Sequence, residues 1–306
     1  MSTVRLNPVT VKQVKTEEST IPRGVRKIKA PALWKQGYRG DQVVVAVLDT
    51  GCQRDHPDLR QQIIGGYNFT NDYNGNHLNY SDNHGHGTHV CGTIAAAGEG
   101  VTGVAPKAKL LVLKVVNGTG EGEVEDIVSG IDYAIGWTGP RGEKVRIISM
   151  SLGTPDDPPS LHNAIKRAVA NNIIVVCAAG NEGDGRSNTQ EYNYPGAYEE
   201  VVEVGSVSYS QRPSWFSNTN SQLDLVAPGE KVLSTYPGSQ YASLSGTSMA
   251  APHVSGALAL LIEKHEKERN RRLTEPELYE LLIRNTKSLG YPRSQQGHGM
   301  LHLNRR

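Results

Sequence analysis

Cysteine is scarce in this chain, with three in 306 residues. Cys52, Cys91 and Cys177 are not spaced like a metal knot and sit in or beside apolar segments. That predicts reduced, mostly buried thiols rather than a disulfide frame. An excess of one charge sign is also missing. With 32 Lys and Arg against 31 Asp and Glu, the formal net charge is +1, so no global field argues for a nucleic-acid or membrane partner. No run approaches the ~18–20 apolar residues of a membrane span. The opening MSTVRLNPVTVKQVKTEEST lacks the apolar stretch of a secretory signal. These absences point to a cytoplasmic location. Internal repeats and low-complexity tracts are lacking too, and so are several signatures of chemistry. Without HExxH there is no zinc-peptidase helix, and without GxGxxG after a strand or a P-loop there is no nucleotide cradle. A lipase or esterase would need a GxSxG elbow, which does not occur around Ser248. No organic cofactor is expected.

What is present is an ordinary globular composition, 37% hydrophobic and 21% charged, in a chain long enough to bury a sizeable core. Residues 1–20 form a polar leader without a strong period, and residues 21–306 form one larger domain. Short β-branched runs recur at Val43–Leu48, Leu110–Val116, Ile147–Met150, Ile173–Cys177 and Val201–Val207. They are continuous rather than alternating, as suits strands of a parallel sheet buried on both faces. Helical patterns lie between them at His86–Ala97, Glu123–Ile135 and Ser160–Asn171, so the fold class is α/β with a doubly wound layer. Ser248–His265 reads as a long, largely buried helix. Thr274 and Glu277 frame a last helix as a capping box with Pro276 in its first turn. The charged run Glu263–Arg272 reads as a solvated helix end, and Tyr67–Ser81 as an exposed loop.

Three segments put a reactive residue where a turn exposes it. VVVAVLDTG ends a buried strand at Asp49, and functional residues gather beyond the carboxyl ends of strands in open α/β sheets. A turn cap is the plain alternative there. HGHGTHVCGT sets His86 between two glycines at a helix start. His84, His86 and His89 also resemble a metal cluster, but no glutamate stands by as a base. SLSGTSMAAPHVSGALAL places Ser248 at the start of an apolar helix, where the helix dipole faces a developing negative charge; a serine N-cap is the plainer fate. The combination favours catalysis. A serine hydroxyl is a poor nucleophile until an imidazole takes its proton, and a carboxylate on the other ring nitrogen fixes the tautomer. AAGNEG adds Asn181, whose amide is a candidate donor to an oxyanion or else a turn residue before Gly183.

The order Asp, His, Ser and the motifs AVLDTG, HGTHV, AAGNEG and GTSMAAPHVSGALAL resemble the subtilisin family of serine proteases, from IPRGVRKIKAPALWKQGYRG to about Asn285. The segments VLDTGC, IIGGYNFT, VVCAAGNEGDG, DLVAPGE and ELLIRNT are most similar to the intracellular serine proteases of bacilli. The resemblance implies an open, mainly parallel sheet with helices on both faces. It implies a serine endopeptidase acting on proteins or peptides, serving intracellular turnover; a catalytically silent, peptide-binding homologue is the alternative. It also places a substrate groove. Gly120, Glu121 and Gly122 would pair with the substrate backbone by β-augmentation, opposite Ser151, Leu152 and Gly153. Ala178, Ala179 and Gly180 would border the pocket before the cleaved bond, narrowed by Asn193 where many relatives carry glycine. Val124, Ile127 and Leu152 would line a further apolar pocket.

The same resemblance raises calcium. Asp58 matches one ligand of a strong site, but Ser19 stands where a glutamine would align and Ala97–Thr102 is short. With six to eight oxygens needed, that site reads as degraded. A weaker cation site would use the main-chain carbonyls of Gly196, Tyr198 and Val201. The leader carries Leu6-Asn7-Pro8-Val9, and Leu6 would enter an apolar subsite while the segment runs along Gly120–Gly122 as an inhibitory propeptide. A homodimer is a further implication, although the chain ends at Arg306 without a longer tail.

Overall fold

A computed structural model describes residues 3–6, 12–14 and 19–304. The β-branched runs form strands, each within one or two residues of the span predicted. Five of them (Val44–Asp49, Lys109–Lys114, Val145–Met150, Ile174–Ala178, Val201–Val207) lie in one nine-stranded sheet. Across the sheet the order is Thr286–Lys287, Met300–Leu301, Leu225–Pro228, Val201–Val207, Ile174–Ala178, Val145–Met150, Val44–Asp49, Lys109–Lys114, Ile63–Asn68. All neighbours run parallel except the first pair.

Side chains alternate between two apolar layers because strand residues point to opposite faces in turn. Val45 and Val47 meet the helices His86–Ala95 and Thr247–Arg269 on one face. Val44, Ala46 and Leu48 meet Val124–Gly136 and Pro159–Ala170 on the other. Each fully buried Val, Leu or Ile contributes about 1.5–3 kcal/mol, so this double burial holds the strand ends rigid where the reactive residues sit. The helix from Thr247 is buried on every side through Glu263, as its unbroken apolar run requires. Gly256 lets it close on its neighbours, since a Cβ there would lie 2.6 Å from Val104. The capping box of Thr274 and Glu277 is present, with Pro276 in the first turn.

Two regions differ from expectation. Glu263, in the run expected to be solvated, is buried. Its Oε2 accepts the backbone N–H groups of Arg39, Gly40 and Asp41, and its Oε1 pairs with Lys267. Tyr67–Ser81 is not simply an exposed loop. Tyr67 and Asn68 end an edge strand, and Tyr67 stacks on His77 at 4.9 Å. The cysteines are free and buried, as predicted.

Two pieces of the leader are strands. Thr3–Arg5 pairs antiparallel with Glu121–Glu123, and Lys12–Val14 pairs with the outer edge of the hairpin Val232–Tyr236 and Gln240–Leu244. No described helix is long and apolar enough to cross a membrane.

Candidate active site

Asp49 is the last residue of its strand, and His86 opens a helix whose start is shaped by glycine. A Cβ on Gly87 would lie 2.1 Å from the Gly51 carbonyl, so only glycine lets the helix approach the strand end this closely. The approach brings His86 Nδ1 to 2.8 Å from Asp49 Oδ1, with both side chains out of solvent. Asp49 Oδ1 also accepts the Thr50 N–H at 2.7 Å. Burial opposes the charged imidazolium, but the Asp49 carboxylate, its hydrogen bond and the more distant Asp82 outweigh it and hold the His86 pKa above the ordinary value. His84 and His89 form no metal cluster with His86. His89 Nε2 contacts the carbonyls of Val232 and Ala242, and burial pushes its pKa down to about 3.

Ser248 sits in the first turn of the long helix, fully buried. Its Oγ donates to the Ser151 carbonyl at 3.2 Å, and Ser151 Oγ donates to the Ser248 carbonyl at 3.0 Å. The serine is thus pinned to the end of the strand Val145–Met150. His86 Nε2 is buried with no hydrogen-bond partner among the described residues. Asn181 follows the strand Ile174–Ala178, and its Oδ1 accepts both the N–H and the hydroxyl of Thr247 at 2.9 Å. Thr247 Oγ1 in turn accepts the Gly180 N–H at 3.2 Å. That fixes the amide so that Nδ2 is the free end, and it too is buried and unpartnered. The arrangement offers a hydroxyl, a base held by an acid, and an unspent donor, as acyl transfer requires.

The segments expected to form the groove carry a strand of the chain's own leader. Arg5 exchanges backbone hydrogen bonds with Gly153, its N–H donating at 3.1 Å and the Gly153 N–H returning one at 3.4 Å; the Leu6 N–H donates to the Gly120 carbonyl at 2.9 Å. The chain's own leader therefore forms a strand between Gly120–Gly122 and Ser151–Gly153. Its register corrects the one expected. Thr3–Arg5 pairs with Glu121–Glu123 and Leu6 lies against Gly120, where Leu6–Val9 was expected along Gly120–Gly122. Val4, rather than Leu6, is fully buried with Val124, Ile127 and Leu152, while Leu6 is half-buried beside Gly120. Asn7, Pro8 and Val9 lie outside the described residues. Arg5 forms an exposed ion pair with Glu121 at 3.2 Å, a contact worth little in water.

Ala178, Ala179 and Gly180 are buried at the next strand end, with Asn193 against Gly180. A Cβ on Gly153 would lie 2.4 Å from Asn193 Oδ1, so the carboxamide occupies the pocket space. Its Nδ2 donates to Glu182 at 3.3 Å, Asn218 donates to the same oxygen at 2.9 Å, and a cavity of about 540 Å³ remains beside Pro155 and Tyr192.

Asp58 takes a role other than the metal ligand expected. Its oxygens accept the N–H groups of Gly98, Glu99, Gly100 and Val101 and the Tyr241 hydroxyl. Ser19 Oγ donates to the Gly98 carbonyl, and the Thr20 N–H to that of Gly100. The shortened loop thus turns donors toward the carboxylate and spends its carbonyls on the chain. This hydrogen-bond set replaces a cation and does not fit one. Gly196, Tyr198 and Val201 lie together at the start of the strand Val201–Val207, and the Tyr198 carbonyl already accepts the Val201 N–H. Among the described residues no group of three or more His, Cys, Asp or Glu could hold a metal.

Sequence reasoning missed Thr247, the pinning role of Ser151, and Asp82, which lies four residues before His86. An acid just before a helix start was the available signal for Asp82.

The sequence profile described as the subtilase family matches residues 40–300. The chain is 53% identical to an intracellular serine protease of Paenibacillus polymyxa, over 98% of this chain and 90% of the relative. It is 51% identical to the major intracellular serine protease of Bacillus subtilis, over 98% of this chain and 93% of that one. Subtilisin E of Bacillus subtilis is 42% identical over 84% of this chain and 65% of its own length.

Proposed function

The chain belongs to the subtilase family and is a subtilisin-like serine endopeptidase, and from that premise we propose that Ser248 is its nucleophile, His86 its general base and acid, Asp49 the orienting carboxylate and Asn181 the oxyanion donor. The observation that carries this reading is the buried Asp49–His86 hydrogen bond on a helix packed against the one that carries the pinned Ser248, with His86 Nε2 and Asn181 Nδ2 both unpartnered among the described residues. His86 Nε2 takes the Ser248 proton as Oγ attacks the carbonyl carbon, and Asp49 stabilises the imidazolium. The tetrahedral oxyanion accepts Asn181 Nδ2. Collapse breaks the C–N bond, the amine leaves with the His86 proton, and water repeats the sequence on the acyl-enzyme. Only neutral His86 can accept a proton, so its raised pKa sets the acid limb of activity above that of ordinary imidazole.

Substrate follows the track the leader now takes. A strand in the Arg5–Gly153 register sets the second residue onward against Ser151, whose carbonyl holds Ser248 Oγ. The Asn193 carboxamide disfavours a large aromatic side chain in the pocket before the cleaved bond. The leader is thus an inhibitory segment, held on the groove by Thr3–Arg5 and on the hairpin by Lys12–Val14. The names of the relatives, intracellular serine proteases, support a cytoplasmic location, where protein turnover is the role proposed.

One experiment tests both the chemistry and the latency. Full-length protein and a form starting at Ser19 are treated with a peptidyl phosphonyl fluoride, and the modified residue is mapped. Ser248 should be labelled in both, more than about tenfold faster without the leader, because removing an intramolecular strand frees a site it held at millimolar effective concentration. No labelling of either form would sink the catalytic assignment; equal rates would sink the latency alone.

We also propose that no strong calcium site supports the fold, any binding being confined to carbonyls around Gly196, Tyr198 and Val201. Ligand binding stabilises by RT ln(1 + [L]/Kd), so a weak site contributes little. Chelator should lower Tm by less than about 4 °C, roughly 1 kcal/mol for a large domain. Unfolding in chelator would overturn the reading of the Asp58 loop.

A further inference from the structure

Asp82 is an acid to which peptide cleavage as described above assigns no part. Its Oδ1 accepts the Thr50 hydroxyl at 2.9 Å and the N–H groups of His84 and Gly85 at 2.9 and 2.7 Å. Its Oδ2 accepts the Thr88 N–H at 2.9 Å and the Thr88 hydroxyl at 2.6 Å. One carboxylate therefore holds the residue after Asp49, the loop before His86, and the first turn of the helix that carries His86. Thr50 completes a ring. Its Oγ1 accepts the Gly87 N–H at 2.9 Å while donating to Asp82, and its own N–H donates to Asp49 Oδ1. Behind it the Lys114 ammonium, fully buried, donates to the Thr50 carbonyl at 2.8 Å and to Asn83 Oδ1 at 3.0 Å, and pairs with Asp72 at 3.0 Å.

We propose that Asp82 is a positioning residue for catalysis, clamping the strand end of Asp49 to the helix start of His86 so that the imidazole keeps its angle and its separation from the carboxylate. The assignment rests on the catalytic reading of Asp49 and His86. The physical reason is geometric. A free helix start has several unsatisfied N–H groups and could pivot about its first turn; five hydrogen bonds onto one rigid carboxylate remove that freedom. The negative end also complements the helix dipole. Charge is the second consequence. The groups around the His86 ring are Asp49 on the strand, Asp82 and His84 on the loop, and His89 one turn along the helix, with Lys114 behind Thr50. His89 is held neutral by burial, so Asp82 is the carboxylate that adds to Asp49 in favouring the imidazolium.

The test uses Asp82→Asn, which keeps the shape and removes the charge and one acceptor, and Thr50→Val, which opens the ring but leaves the carboxylate. Asp82→Asn should lower kcat on a peptide amide at least about tenfold with KM within about twofold. The acid limb of kcat/KM should move to lower pH by about half a unit or more. Thr50→Val should lower kcat severalfold and leave the acid limb in place. The same charge effect is read without turnover in a Ser248→Ala background, by following the His86 ring protons by NMR across pH. There Asp82→Asn should lower the titration midpoint, and Tm reports whether each variant is folded. A folded Asp82→Asn protein with unchanged kcat and an unmoved midpoint would overturn the proposal. If Asp82→Asn does not fold, an unchanged kcat in Thr50→Val overturns it. An inactive parent with the NMR shift present would instead count against the catalytic reading and leave the clamp standing.

Discussion

Ser248→Ala protein should hydrolyse a peptide amide roughly 10⁶-fold more slowly in kcat than the parent, a magnitude established in subtilisin itself. The variant loses the only atom that can form the acyl-enzyme, while the groove and Asn181 remain; a residual ~10³–10⁴-fold acceleration over water should persist from them. The fold should survive. Among the described residues Ser248 Oγ makes one hydrogen bond, to the Ser151 carbonyl, and the reciprocal bond from Ser151 to the Ser248 backbone is untouched. The leader strand pairs through backbone atoms of Gly120 and Gly153, so peptide affinity should be nearly unchanged. Steady-state hydrolysis by leader-free protein, beside a thermal melt, checks this. Near-parental turnover in a folded variant would show that another residue is the nucleophile.

Asn181→Leu should lower kcat by about 10²–10³-fold with little change in KM, again the size known for an oxyanion amide in subtilisin, ~2.7–4 kcal/mol. The reason is visible in the resting structure. Asn181 Nδ2 is buried with no partner among the described residues, so its hydrogen bond is available to be formed only when charge appears on the substrate oxygen. The change has a second, separable cost. The Thr247 N–H and hydroxyl lose their shared acceptor, which should reduce stability by about 1–3 kcal/mol. Affinity for a peptide boronate, which mimics the tetrahedral adduct, should fall with kcat, whereas a plain peptide product should bind as before. If product and boronate weaken equally, the amide is a binding contact and not an oxyanion donor.

Much of the frame was legible because burial on both faces leaves a plain mark. Runs such as Val201–Val207 are apolar without alternation, and the observed strand has those bounds. The strand Ile63–Asn68 was not seen because Gly65 and Gly66 interrupt its apolar pattern at the edge of the sheet. Leu225–Pro228 is only four residues long and ends in proline. The charged run from Glu263 misled for a different reason. A carboxylate is assigned to solvent unless its partners are known, and here they are three N–H groups more than 220 residues away.

Local pattern settled which reactive groups exist and at which ends of strands and helices they sit, although the expected exposure was wrong, since Asp49, His86 and Ser248 are all buried. Asp49 at a strand end, His86 between glycines, Ser248 before an apolar helix and Asn181 after a strand are consequences of local pattern, because turns and helix starts are written in neighbouring residues. Which atoms meet was set by the packing of segments far apart in the chain. That packing turned the Asp58 carboxylate onto loop N–H groups, held Asn181 Oδ1 on Thr247 so that Nδ2 is unpartnered among the described residues, and joined Asp82 to both Thr50 and the helix of His86. It also laid Thr3–Arg5 along the groove, so that residues ahead of the proline motif take the place expected for Leu6. These are pairings between distant segments of the chain, and their hydrogen-bond geometry is set by how sheet and helices pack, to a precision of tenths of an ångström that no local pattern carries.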